Sequence, residues 1–352
     1  MLLSRLADMT SPHPVCFGVI GTGGIAAAFT RDLALLPDAE MVAVGSRSQS
    51  SADAFGESHG IGRRHATYAA LADDPEVDVV YVSTPHPAHH GAARLAIDAG
   101  KAVLVEKPFT MDAAEALDLV TAARERGTFV MEAMWARFNP HLVRVREILA
   151  SGVLGTVTTV VADHAQWFEH DPQHRLFAPE LGGGALLDLG VYPISLASMV
   201  LGTPTDITAR SVASPTGVDA QTSMIFQYDS GAHAVLTTTL WAAGSNRAAI
   251  VGTKGRMDID STWYSPTTFT LSIRGGEVTR YDEPHEGHGL RHEAAEVVRC
   301  LRTGLTESPI MPADESVAIM RTMDEVRRQI GLTYPPRDVT SSGHDVSDPG
   351  VT

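Results

Sequence analysis

Cysteine is nearly absent from this chain of 352 residues: there are two, Cys16 and Cys300. One falls in an apolar strand pattern and the other in a late helical pattern, which excludes a disulfide framework or a cysteine zinc set. A reducing, cytoplasmic compartment is the expectation. Excess positive charge is also missing. The formal net charge is −15, so the broad basic face needed for nucleic acid or an anionic membrane is not expected, and neither is a predicted partner. No apolar run reads as long enough to span a bilayer, and MLLSRLADMTSPHP lacks the apolar core of a signal peptide. Lysine is scarce as well: among 27 basic residues only Lys101, Lys107 and Lys254 are lysines. A lysine in this chain is therefore a marked choice.

What is present reads as two domains, the expectation for this length. Residues 1–14 are polar and form a flexible leader. Apolar strands then alternate with helices. The strands are Val15–Ile20, Met41–Gly45, Val77–Val82, Ala102–Val105 and Phe129–Met131. The helices are Ile25–Leu36, Ser50–Gly60, Tyr68–Ala72, Ala88–Ala99 and Asp112–Arg126, the last capped by Thr110 or Asp112. This alternation predicts an α/β domain with a parallel sheet covered on both faces over 15–138. After about Pro140 the style changes. A helix, Leu142–Leu149, and a strand, Thr156–Trp167, precede a Gly182-Gly183-Gly184 break and an apolar helix to Leu201. Seven strand patterns follow without helices, with turns at Asp229-Ser230-Gly231 and Thr253-Lys254-Gly255. This predicts an α+β domain with an antiparallel or mixed sheet over 139–336, closed by helices Arg291–Thr303 and Asp314–Ile330. Residues 337–352 read as a disordered tail.

The chemistry begins where the first strand breaks. Gly21-Thr22-Gly23-Gly24-Ile25-Ala26 has the G-x-G-x-x-A spacing of a dinucleotide-binding turn. Gly21 permits the tight turn, Gly23 has no Cβ to block a pyrophosphate, and Ala26 lets the helix pack close. The helix N-terminus then offers unpaired N–H groups to an anion. A structural βα turn without ligand has the same glycines. The second strand ends Gly45-Ser46-Arg47-Ser48 without the carboxylate that accepts from a ribose 2′-OH. Ser46 and Arg47 suit a 2′-phosphate, which favours NADP over NAD, NAD being the alternative. Ser83, Thr84 and Pro85 end another strand, so with His86 and His89 they should line the cofactor crevice, although His89 can equally cap the next helix. A further strand delivers Glu106-Lys107-Pro108 over the same crevice. An ammonium there can hydrogen-bond an oxygen that changes between alcohol and ketone, and Pro108 sets a fixed bend, cis in one reading. Asp188 and Tyr192 lie four apart and share a face if helical, and a phenol beside a cation is a usable acid/base. Taken alone, the two read as an N-cap and a half-buried structural tyrosine. Pro193 must then sit near the first helical turn or mark a kink. Trp135, Arg137, Phe168, Trp241 and Tyr264 are candidate substrate contacts by character and place, each competing with plain core packing.

The order fingerprint, Glu106-Lys107-Pro108, then Asp188 followed by Tyr192, resembles the glucose-fructose oxidoreductase / inositol dehydrogenase / rhizopine catabolism (Gfo/Idh/MocA) family over roughly Val15 to Tyr334. Met131-Glu132-Ala133-Met134-Trp135-Ala136-Arg137-Phe138-Asn139-Pro140, and Ser308–Pro312 leading into Met320–Glu325, are similar to its branch of dihydrodiol and NADP-dependent xylose dehydrogenases. The resemblance implies a Rossmann NAD(P)-binding domain, then a substrate and dimerisation domain with a large open, mostly antiparallel sheet whose outer face makes a homodimer or homotetramer. It implies Lys107 and Tyr192 as the catalytic pair with Asp188 assisting. The substrate would be a sugar, polyol or cyclic diol. Many relatives carry histidine in place of Tyr192, and a Thr-Pro-Asn pattern is here Thr84-Pro85-His86, which leaves that one contact open. A reductase of nucleotide-linked deoxysugars and a non-catalytic NADP sensor are the competing expectations.

Overall fold

The computed structural model describes residues 13–336. Most of the expected leader, residues 1–12, and the expected tail lie outside them. The chain divides into two compact units: residues 13–135 with Leu290–Val317, and Ala136–Gly289 with Ala318–Pro335.

In the first unit, strands β1 (Val15–Ile20), β2 (Ala39–Gly45), β3 (Arg63–His65), β4 (Val79–Val82), β5 (Ala102–Glu106) and β6 (Val130–Ala133) pair in the order β3-β2-β1-β4-β5-β6. Every pairing is parallel. Helices α1 (Gly24–Leu33), α2 (Gln49–His59), α3 (Tyr68–Ala72), α4 (His89–Asp98) and α5 (Ala113–Arg126) connect them. β4, β5 and β6 are buried at every position, as strands covered on both faces must be. The helix ends follow from side-chain chemistry. Ser48, Thr67 and Asp112 accept from the N–H groups of Ser51, Ala70 and Glu115, and Gly127 closes α5 in the left-handed region at φ 65°. Strand β3 has no apolar signature. It exists because it pairs with Ala43–Gly45 and because the Asp74 carboxylate takes Arg63 at 2.6 Å and His65 at 2.8 Å.

The second unit opens with α6 (Pro140–Ala150) and contains α7 (Val191–Leu201). Its strands are β7 (Val157–Ala165), β8 (Asp206–Ala213), β9 (Asp219–Gln227), β10 (His233–Thr239), β11 (Ala248–Gly252), β12 (Gly255–Ile259), β13 (Thr268–Ile273) and β14 (Val278–Asp282). They form one sheet, β14-β13-β12-β11-β7-β10-β9-β8, antiparallel except for β7 beside β10. From Ala220 onward β9 alternates strictly: Ala220, Thr222, Met224 and Phe226 point inward, Gln221, Ser223, Ile225 and Gln227 outward. The inner face carries α7. Pro179–Leu201 is, against the expectation above, long and apolar enough by length and composition to cross a membrane, but its apolar window is 78% buried inside this unit and reads as a core helix.

The helix expected at Arg291–Thr303 forms as α8 (Arg291–Arg302), yet it packs with the first unit and not with the second-domain sequence around it. The reason lies in unsatisfied groups. Asp32 on α1 is 2% exposed and accepts from the Leu290 N–H at 2.9 Å. Arg302 meets Asp38 at 2.8 Å, Arg124 meets Glu307 at 2.8 Å, and the Val130 N–H donates to the Thr306 carbonyl at 3.2 Å. The first unit is thus finished by a segment separated from Trp135 by the 154 residues Ala136–Gly289. The last helix, α9 (Ala313–Ile330), runs across the division at Val317/Ala318.

Candidate active site

The first unit gathers its predicted residues at the carboxyl ends of β1, β2, β4 and β5, beside the β1/β4 position where strand order reverses. That is where open parallel sheets hold ligands. Gly21 has φ +110°, and a Cβ there would stand 2.8 Å from the Ser83 carbonyl oxygen and 2.9 Å from its Oγ. The tight turn therefore needs glycine for two reasons, backbone conformation and the approach of β4. Ser83 is not free for a ligand: its N–H and its hydroxyl both donate to the Ile20 carbonyl, each at 2.9 Å. Helix α1 starts with Gly23 at its N-cap and no side-chain cap, and the first bond inside it runs from the Ala27 N–H to the Gly23 carbonyl at 3.1 Å. The N–H groups of Gly24, Ile25 and Ala26 have no acceptor within the helix, and the positive end of its dipole lies there. Ala26 is fully buried, as close helix packing requires.

At the end of β2, Ser46 is held by its N–H to the His65 carbonyl at 3.0 Å, and Arg47 is exposed. Thr84 is 6% exposed and its Oγ1 is buried without a hydrogen-bond partner. An uncapped helix terminus, an orphaned hydroxyl and an exposed arginine at the end of β2 fit a dinucleotide carrying a 2′-phosphate. Other predicted contacts are committed elsewhere. His89 is 1% exposed, and its ring nitrogens face the Pro108 carbonyl at 2.9 Å and the Thr84 carbonyl at 2.8 Å. Burial first, then His86, pushes its pKa down to about 3, so the ring is neutral and donates to one of the two. Glu106 is 4% exposed and accepts from the Tyr81 hydroxyl at 2.6 Å and the Lys107 N–H at 3.1 Å. It anchors the strand end where contact with cofactor was expected. The Lys107–Pro108 bond is cis.

In the second unit, an unusual turn carries Asp188 into the helix that holds Tyr192. Leu186–Gly190 is a single π-helical turn running directly into α7. Pro193 falls in the first turn of α7 and has no N–H to give the Leu189 carbonyl, so the wider turn is placed where the α-ladder is already broken. Asp188 is not an N-cap. It is 4% exposed and accepts from Arg175 Nη1 at 3.0 Å. Arg175 went unnoticed in the sequence, where nothing but proximity marks it. Tyr192 is 6% exposed, edge-on to His164 with ring centroids 4.9 Å apart and 5.2 Å from Tyr264. His164 stacks on Tyr264 at 3.8 Å, and the Gln166 amide reaches the Tyr264 hydroxyl at 3.2 Å. Burial pushes the Tyr264 phenol up. His164 is the other missed residue: inside a strand pattern it reads as one more alternating position.

The start of this turn is held from below. Asp219, 2% exposed, accepts from the Leu186 N–H at 2.8 Å and the Thr222 hydroxyl at 2.7 Å. Among the substrate candidates, Arg137 does not look outward. It is 2% exposed and spends its guanidinium on Ser195, donating to Oγ at 2.8 Å and to the carbonyl at 2.7 Å, which ties α7 down one turn past Tyr192. Trp241 is 39% exposed and bridges to Trp167. Phe168 is half-buried against Leu176, Phe177 and Leu189. Trp135 is half-buried at the last position of the first unit's main segment. Lys107 belongs to the first unit, Asp188 and Tyr192 to the second.

Comparison with known proteins agrees with the two-sheet fold. Residues 15–134 match the model of an oxidoreductase family with an NAD-binding Rossmann fold, and residues 142–258 match the GFO/IDH/MocA C-terminal domain. The chain is 39% identical over 329 residues to trans-1,2-dihydrobenzene-1,2-diol dehydrogenase of Bos taurus, covering 91% of this chain and 98% of that one. It is 37% identical over 328 residues to the Homo sapiens protein of the same name, with the same coverage. Among solved structures it is similar to a 3-ketoreductase from Actinomadura kijaniata in complex with NADP and TDP-benzene. That match has a TM-score of 0.79 and 28% identity, covering 90% of this chain and 98% of that one. It is also similar to an aldose-aldose oxidoreductase from Caulobacter crescentus, with a TM-score of 0.82 and 26% identity, covering 90% and 97%.

Proposed function

The chain belongs to the GFO/IDH/MocA family of NAD(P)-binding oxidoreductases, and from that footing we propose that it is an NADP-dependent dehydrogenase of a cyclic diol or sugar, working through Lys107 and Tyr192. The observation that carries this is the delivery of Lys107, at the end of β5, to the same carboxyl edge as the Gly21–Ala26 turn, in a chain whose curated relatives are named dehydrogenases. Gly24–Ala26 N–H groups would hold the pyrophosphate, Ser46 and Arg47 the 2′-phosphate, and Thr84 Oγ1 a polar group deeper in the crevice. The nicotinamide, when bound, exchanges the hydride. In oxidation the Tyr192 oxygen takes the hydroxyl proton, and the Lys107 ammonium steadies the charge that develops on the substrate oxygen. In reduction Tyr192 returns the proton. Asp188, paired with Arg175 at 3.0 Å, accepts from a neighbouring substrate hydroxyl, and Trp135, Phe168 and Trp241 offer apolar surface to a ring.

The test is a plate of NADP+ or NAD+ with trans-1,2-dihydrobenzene-1,2-diol, D-xylose and related aldoses, followed by absorbance of the reduced cofactor. Turnover with NADP+ preferred is expected, and Lys107→Met and Tyr192→Phe should each lower it by about 100-fold or more while NADPH affinity holds. Full activity in either variant would falsify the pairing. Turnover confined to a TDP-linked ketosugar would favour the ketoreductase reading, to which the NADP and TDP-benzene complex of the A. kijaniata enzyme lends support. Tight NADPH binding with no turnover would favour a sensor.

We also propose a homodimer or homotetramer through the open face of the eight-stranded sheet. Ala249, Val161, Val235, Ile225 and Thr208 stand in register across five strands on that face. Val161, Ile225 and Val235 are 43%, 51% and 40% exposed, an apolar row that an isolated sheet would leave wet. A cytoplasmic location is proposed on the two free thiols, and fractionation of the tagged chain tests it.

A further inference from the structure

The backbone around the catalytic lysine is gripped by buried side chains that come from three separate elements. The Lys107 N–H goes to Glu106 Oε2 at 3.1 Å. The Pro108 carbonyl faces His89 Nδ1 at 2.9 Å. The Phe109 N–H goes to Glu132 Oε1 at 3.0 Å. Glu132 sits on β6, 1% exposed, and Phe109 is also 1% exposed, so this bond is shielded from water on both sides. A carboxyl oxygen holding a buried N–H is a backbone anchor with which water does not compete. Glu106 is part of the strand that carries the lysine, so it moves with it. Glu132 is on the neighbouring strand and fixes the loop to a second, independent part of the sheet.

We propose that Glu132 is a positioning residue for Lys107: by holding the Phe109 N–H it sets the path of Lys107–Phe109 and hence the place of the ammonium. The inference rests on the reading of Lys107 as a catalytic group and adds to it the residue that aims it. The setting explains how buried acids can serve here as acceptors. Glu293, in the first turn of α8, is fully buried, and neither of its carboxyl oxygens has a hydrogen-bond partner. Burial first, then Glu106, Asp32 and Glu132, holds its carboxyl well above the usual range, so Glu293 keeps its proton. The three acids around it each accept a backbone N–H, from Lys107, Leu290 and Phe109. A neutral Glu293 adds no negative charge of its own beside these acceptors. The return segment Leu290–Val317 thereby contributes to the back of the lysine loop within the first unit.

The experiment separates placement from charge. Glu132→Gln keeps an oxygen acceptor at the same reach and removes the charge. Glu132→Asp keeps the charge and withdraws the acceptor by one methylene. Both are assayed with NADP+ and the diol beside Lys107→Met, with NADPH dissociation constants measured in parallel. The expected result is that Glu132→Asp lowers kcat by about 10- to 100-fold, the scale of a misplacement near 1 Å. Its KM and NADPH affinity should stay within about threefold, while Glu132→Gln retains most of the wild-type kcat. A merely structural role would weaken cofactor binding and thermal stability together and would not split kcat from KM. The inference is overturned if Glu132→Asp keeps kcat within about twofold of wild type, or if Glu132→Gln is as impaired as Glu132→Asp. If Lys107→Met is fully active, it is the lysine assignment that fails, whatever the Glu132 variants do.

Discussion

Replacing Asp219 by asparagine should make the second unit more stable at pH 8 than the wild type, while leaving the two alike near pH 4. Asp219 is 2% exposed. It accepts two hydrogen bonds, from the Leu186 N–H and the Thr222 hydroxyl, but its Oδ1 has no partner. The half-buried Tyr334 donates its hydroxyl to the Gly183 carbonyl, and burial first, then Asp219, pushes that phenol up. Burial outweighs the hydrogen bonds it receives, from Thr222 and from the Leu186 and Asp219 backbone, and pushes the carboxyl up to about 7. In an unfolded chain an aspartate titrates near 3.9. Between those values the folded chain holds a proton that the unfolded chain has lost, so stability falls as pH rises from about 4 to about 7 and levels off above. The interval is about 3 pH units, and at about 1.4 kcal/mol per unit the loss is on the order of 4 kcal/mol, a large part of a domain's total of about 5–15 kcal/mol. Asparagine is neutral throughout and keeps an acceptor for Leu186, so this loss should vanish. The assay is urea unfolding from pH 4.5 to 8.5, followed by tryptophan emission. Three of the four tryptophans, Trp167, Trp241 and Trp263, lie in the second unit. The informative quantity is the difference between the two proteins at each pH, in which every other titrating group cancels. A difference that stays constant across the range would refute the reasoning.

Gly21→Ala should abolish NADPH binding and cost about 1–2 kcal/mol or more, because φ +110° is strained for any side chain and the new Cβ meets Ser83 backbone at 2.8 Å; a thermal melt with and without NADPH checks both. Arg175→Leu should lower kcat/KM about 3- to 10-fold with NADPH affinity unchanged, since the half-exposed guanidinium steadies Asp188 at 3.0 Å through a screened pair worth about 1 kcal/mol; steady-state kinetics against Asp188→Asn reads it. If the proposed oligomer forms through the open sheet face, Ile225→Lys with Val235→Lys should convert it to monomer by light scattering while leaving the monomer's melting temperature within a few degrees, because both side chains point away from the core.

What the sequence discloses and what it hides divide along a physical line. The strand, glycine turn and helix of Val15–Leu33 are legible because each is a local pattern: an apolar run, a residue without Cβ, a change of period. Tyr68–Ala72 is legible for the same reason, down to both ends. Strand β3 is not, because three polar residues become a strand only by meeting the edge of β2. The helix Arg291–Arg302 announces its own period but not its partner, since the bond that recruits it joins residues 258 apart. Arg137 misleads for a related reason: an arginine following the last strand of a cofactor sheet looks like a ligand contact, and only Ser195, 58 residues on, claims it for the core. The side chains proposed to react stand out because their types are rare where they stand, a lysine among arginines, a tyrosine after a glycine-rich break. The acids that hold them do not. Glu132 and Asp219 each sit at the end or start of an apolar strand, where a carboxylate reads as the point at which burial stops. In the structure burial does not stop there, and the carboxylate is kept because an N–H, from Phe109 or from Leu186, would otherwise be left buried without an acceptor. That demand comes from backbone geometry elsewhere in the fold, so no window of sequence around Glu132 or Asp219 contains it.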